Sequence, residues 1–125
     1  MAITDTTAAK GRGMSIALWV LKGLVALAFL AAGLAKLAGV PMLVEEFDKI
    51  GLGQGFRYVT GVVEIIGAIA ILAPGYTLYG LAILGAVLVG AFIAQLGPLH
   101  GDVVHVLVLA ALVALVAWLA RPKLP

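Results

Sequence analysis

Four apolar runs, Ile16–Gly39, Tyr58–Ala73, Tyr76–Leu96 and Val103–Ala120, take up most of this 125-residue chain and leave it few folds. In hydrocarbon every backbone N–H and C=O must be satisfied within the chain, so such runs become helices rather than open strands. A span needs about 20 apolar residues, with a range of about 17–25. Composition removes the water-soluble alternative. The chain is 64% hydrophobic and 11% charged, against about 45–50% and about 25% in soluble domains. Too little polar surface remains to coat a globule of this size. The expected fold is an all-α membrane protein: a single domain over residues 14–125, built as a four-transmembrane-helix bundle. The second run is the shortest, and Phe56 and Arg57 can extend it by reaching toward the interface.

The charges orient these spans. Lys10 and Arg12 precede the first run, Lys22 lies in its first turns, and Arg121 and Lys123 follow the last. The connection Val40–Gln54 carries Glu45, Glu46 and Asp48 against Lys49. Lysine and arginine collect on the cytoplasmic side, so both termini are expected there, as an even number of spans requires. Residues 1–13 are polar, small and unpatterned, and read as a disordered cytoplasmic tail. The first apolar run is longer than the about 7–15 residues of a signal-peptide core, so it reads as a span. A net charge of +2, scattered rather than patched, gives no footprint for nucleic acid. With no cysteine in the chain, thiol relays, iron–sulfur clusters and thiolate metal sites are excluded.

The connections carry their own signals. Pro41 suits a first helical position. Val40, Leu43, Val44, Phe47 and Ile50 then recur at helical spacing, with the charges opposite. Gly51 or Gly53 would close the helix. A short interfacial helix between spans one and two is therefore expected. Pro74-Gly75 and Gly97-Pro98 mark tight turns. Ala82, Ala86, Gly90 and Ala94 repeat every four residues in the third run, and such stripes let helix backbones approach closely in lipid. They do not say whether the partner helix belongs to the same chain.

Polar residues are rare enough to be placed one by one. Glu64 lies in the middle of the second run, about 10 Å below Arg57 at 1.5 Å per residue. Arg57, Thr60 and Glu64 share a helix face. On the expected topology Lys36, Arg57, Glu64, Gln95, His100, Asp102 and His105 all fall in the outer half of the bundle. An ionisable group at membrane depth is costly and faces protein or water, so Lys36, Arg57, Glu64, Gln95, Asp102 and His105 are expected to line one binding pocket. Phe29, Phe47 and Phe92 are candidates for its wall. Lys36 is the natural partner of Glu64, either as a pair that only fixes helix register or as part of a ligand site. Positions 100, 102 and 105 match no standard ligand spacing, so no metal is expected.

A known pattern meets these residues. Leu21-Lys22-Gly23 through Gly33-Leu34-Ala35-Lys36-Leu37 resembles the first span of the DoxX-like family, where a basic residue opens the helix and a G-x-x-K-L element closes it. Phe47 with Gly51-Leu52 resembles the loop that follows. Val63-Glu64-Ile65-Ile66-Gly67 resembles the family's second-span element, and Arg121-Pro122 its close. The resemblance implies a four-helix bundle in a prokaryotic cytoplasmic membrane, with Gly33, Lys36, Glu64 and Gly67 as matching positions. Gly33 and Gly67 join Ala86 and Gly90 as expected packing positions. It also implies sulfur-compound or quinone oxidoreduction or redox homeostasis, often beside a soluble enzyme.

Three functions stay open on this reading. One is a redox-linked component whose pocket binds a hydrophobic, polar-headed molecule such as a quinone. Any electrons would come from that molecule or from a soluble partner, the chain having no redox centre of its own. The others are a non-catalytic accessory subunit, in a complex or a homo-oligomer, and a small-solute or proton transporter.

Overall fold

The computed structural model describes the backbone of residues 2–121, and the side chains from Ser15 onward. The side chains of Lys10 and Arg12, and the whole of Lys123, which carried part of the orientation argument, lie outside the described residues. Five helices follow one another: α1 (Ala2–Ala38), α2 (Pro41–Ile50), α3 (Gln54–Leu72), α4 (Thr77–Leu96) and α5 (Val104–Ala120). Within α1 the stretch Ser15–Ala38 is long and apolar enough to cross a membrane, as are α3 and α4. The 17 residues of α5 are equally apolar and about 26 Å long. The backbone is helical through residues 2–13 as well, the stretch expected as a tail. No proline interrupts it, and alanines favour the helix.

Local chemistry accounts for the boundaries. Pro41 opens α2, and Gly51 at φ 83° closes it by returning its N–H to the Phe47 carbonyl. Gly53 at φ 90° precedes α3, which starts four residues before the expected second run. Arg57 does not reach for an interface, as expected of it. It is buried, 5% exposed, because its guanidinium turns onto the end of α1. Gly75, at φ 84°, makes the tight turn between α3 and α4.

The long helices close a ring: α1 and α4 each pack on both α3 and α5, while α2 rests mainly on α3. Val25, Ile71, Leu84 and Val116 are fully buried at its centre. Glycines set the two closest crossings. A Cβ on Gly33 would lie 2.7 Å from the Gly61 carbonyl oxygen, so α1 and α3 touch backbone to backbone there. A Cβ on Gly80 would lie 2.5 Å from the Ile71 nitrogen and 2.9 Å from the Gly67 oxygen, which fixes α3 against α4 near their turn. Gly33 and Gly67 thus occupy crossings, where lipid-embedded helices gain van der Waals contact. Ala86 and Gly90 do not. Both are exposed and no atom lies within 4 Å of a Cβ on Gly90. Of the stripe expected to pack α4, Ala82, Ala86 and Gly90 are exposed, and Ala94 alone is half-buried.

Candidate functional site

Helix α3 buries Arg57, Gly61, Glu64, Gly67, Ala68 and Ile71 on one face, a stripe at the three- and four-residue spacing of a helix surface. Gly61 in it admits α1 at Gly33, and this close approach brings Lys36, in the last turn of α1, to Glu64. The Lys36 ammonium donates to Glu64 Oε1, with the two side chains 17% and 3% exposed. Among the described residues no buried side-chain polar atom lacks a hydrogen bond, and Glu64 Oε2 makes none, so that oxygen is not fully enclosed by the protein.

Arg57 holds this arrangement from behind. One guanidinium N–H donates to the Lys36 carbonyl oxygen, and Nε donates to Gln54 Oε1 at 2.7 Å. The guanidinium also stacks 4.3 Å from the Tyr58 ring. A cation at the carboxyl end of a helix is favoured by the helix dipole, so Arg57 caps α1 at the residue whose side chain meets Glu64. Gln54 continues the chain of contacts: its Nε2 donates to the Val44 carbonyl at 3.0 Å and to Asp48 Oδ1 at 2.8 Å. Helix α2 is thereby tied to the pair, with Phe47 packed 5.8 Å from the Phe56 ring.

A cavity of about 290 Å³ opens on the pair among α1, α2, α4 and α5. Its polar lining is Lys36, Glu46, Glu64, Gln95 and His105, and the rest is apolar, including Phe29, Phe47 and Leu88. Four of the six expected site residues therefore share one space. The other two do not line it. Arg57 lies behind the pair, and Asp102 is exposed in the α4–α5 connection, where Oδ1 accepts the Val104 N–H at 2.8 Å. A carboxylate two residues before a free helix N–H satisfies it locally, and that draws Asp102 away. His100 is exposed in the same connection at φ 46°. Phe92 lines an apolar cleft between α4 and α5 instead.

Glu46 is the polar lining residue that sequence reasoning missed, having set it on the charged side of α2. Its spacing from Leu43 and Ile50, three and four residues, put it beside that helix's apolar stripe. A second polar contact sits at the far end of the bundle: buried Lys22 donates to Thr77 Oγ1 at 3.4 Å and lies 4.7 Å from the Trp19 ring. Among the described residues no group of three His, Asp or Glu could hold a metal ion.

Chemically, the cavity offers an ammonium donor, a carboxylate acceptor, an amide and an imidazole within apolar walls. The lysine and Glu64 cancel, and Glu46 adds negative charge, so an anion gains little there. No curated protein and no solved structure matches the chain. The family model of the DoxX-like family matches residues 20–119, which takes in Lys36, Glu64 and every residue that lines the cavity. The chain, a helical protein with several spans' worth of apolar helix, belongs to the DoxX-like family.

Proposed function

We propose that this protein is a four-span component of a prokaryotic cytoplasmic membrane, and that its cavity binds an uncharged polar head group on an apolar molecule. The fourth span is α5, whose 17 residues reach the lower end of the about 17–25 that crossing requires. Both termini are then cytoplasmic, and the cavity lies in the outer half.

One observation carries the binding reading. A buried ion pair with one carboxylate oxygen unpaired among the described residues borders a mainly apolar cavity that also holds Glu46, Gln95 and His105. A pair serving only as glue needs no such space. Polar groups placed in a mainly apolar pocket orient a ligand's few polar atoms. A quinone fits: its carbonyls accept from Lys36 and Gln95, its reduced hydroxyls donate to Glu64 or His105, and it carries no charge. The redox association that the family resemblance implies agrees with such a ligand. Electrons would pass between the bound quinone and a partner, with this chain supplying position and protons.

The test is a titration of the protein in lipid nanodiscs with a short-chain ubiquinone, and with decanoate as an anionic counterpart. Saturable quinone binding is expected, lost in the Lys36→Met, Glu64→Gln double variant, with no saturable binding of decanoate. Quinone binding unchanged by the double variant sinks the proposal.

A further inference from the structure

We propose that the ligand's apolar tail lies in a lateral groove between α3 and α4, and that the ligand reaches the cavity from the bilayer through this groove. The inference rests on the cavity being a head-group site. Its basis is the shape of the α3–α4 hairpin. Near the turn the helices touch at Gly67 and Gly80. Further along they separate, and around Gly90 the α4 backbone has no atom within contact distance of a Cβ.

The space so opened is a groove of about 440 Å³, walled by Val59 and Val63 on one side and Ile83, Ala86 and Gly90 on the other. These residues lie within two helices that are long and apolar enough to span, so the opening faces acyl chains rather than water. Lys36 and Glu64 line this groove as well as the cavity, and so do Phe47 and Ile50 of α2 and Val87, Ala91 and Ala94 of α4. The ion pair thus lies on the boundary that the two spaces share.

Size argues for the occupant. At about 290 Å³ the cavity is at the small end of ligand pockets, about 300–1,000 Å³, so a head group fills it and a long tail must leave. The groove is the neighbouring space that starts at the same pair, and its lining is apolar apart from Lys36, Thr60 and Glu64. A hydrocarbon tail is matched to such walls, whereas a charged peptide is not. Since the tail leaves lipid for an equally apolar wall, the groove adds little attraction of its own, and filling it weakens binding by leaving the tail of a seated head group no room.

The experiment pairs two neutral probes, a ubiquinone with no prenyl tail and one with a decyl tail, in nanodiscs. Ala86→Phe fills the groove from an exposed position, and Val62→Phe, exposed on α3 and not among the residues that line the groove, is the control. The expected result is decyl-probe binding weakened at least tenfold by Ala86→Phe, with the tailless probe unchanged and Val62→Phe silent for both. Should Ala86→Phe fail to fold, Gly90→Leu repeats the test where the backbone is open. If the tailless probe binds wild type and is lost with the ion pair, yet neither groove variant weakens the decyl probe, the groove is not the tail's path and the head-group site stands. Equal weakening of both probes also overturns the groove assignment. If neither probe binds wild type, the head-group reading itself fails.

Discussion

Replacing Lys36 with methionine isolates the electrostatics of the buried pair. Methionine keeps an unbranched stem of similar volume, so lost packing costs less than about 1.5 kcal/mol. What remains is Glu64, 2% exposed, stripped of the group that donates to it. Breaking a buried pair from one side costs about 3–5 kcal/mol. The free Oε2 can take water from the cavity, which draws the expected loss toward about 3 kcal/mol. Glu64→Gln should be milder, about 1 kcal/mol, because Lys36 sits in the last turn of α1 and its long stem can swing its charge toward water. The double variant carries no charge at either position and should lie within about 1 kcal/mol of wild type. A double-mutant cycle by equilibrium unfolding in mixed micelles therefore predicts a coupling of about 3–5 kcal/mol. If the losses of the two single variants simply add in the double, the residues are not energetically paired and the site argument loses its centre.

Gly80→Ala should destabilise by about 1–3 kcal/mol, because its Cβ meets the Ile71 backbone, which cannot step aside as a side chain can. Gly90→Ala, where the Cβ meets nothing, should be neutral or stabilise by up to about 1 kcal/mol, and the same unfolding assay ranks the two. Asp102→Ala should cost about 0.5–2 kcal/mol through the lost bond to the Val104 N–H, while quinone titration is unaltered; a binding defect would return Asp102 to the site. For topology, a cytoplasmic reporter fused after Pro125 should be active and a periplasmic one silent, and the opposite pattern would overturn the four-span orientation.

How much of this the sequence could show depends on whether the signal was local. Hydrophobic contrast is local, so the apolar runs behind α1, α3, α4 and α5 were legible. So was α2, because Pro41 and Gly51 act on their own backbones. The Lys36–Glu64 pair was legible for a different reason: few ionisable residues lie at that depth, which leaves few partners to choose from. Asp102 was misplaced because depth said nothing about a carboxylate free to turn back on its own helix. The direction of the Ala86–Gly90 stripe was illegible in principle. Lipid is as apolar as a helix interface, so a small residue facing out looks like one facing in.

The position of the site follows from where the glycines of α3 fall around Glu64. Gly61 precedes it by three residues and takes α1 at Gly33; Gly67 follows it by three and takes the Leu84 and Ile83 side chains of α4, with its carbonyl beside Gly80. The two neighbours are therefore gripped on opposite sides of the carboxylate along the helix. Toward α2, α1 is held tight, which delivers Lys36. Toward the Pro74-Gly75 turn, α4 is held tight, and over the about 12 Å from Gly67 back to Val59 nothing equivalent holds it. An opening beside Glu64 on the α4 side is what this offset leaves, and both the cavity and the groove occupy it. Had both crossings fallen at one depth, the pair would be sealed among four helices and serve only as glue. Their separation by six residues leaves the same pair bound on its α1 side and accessible on the other.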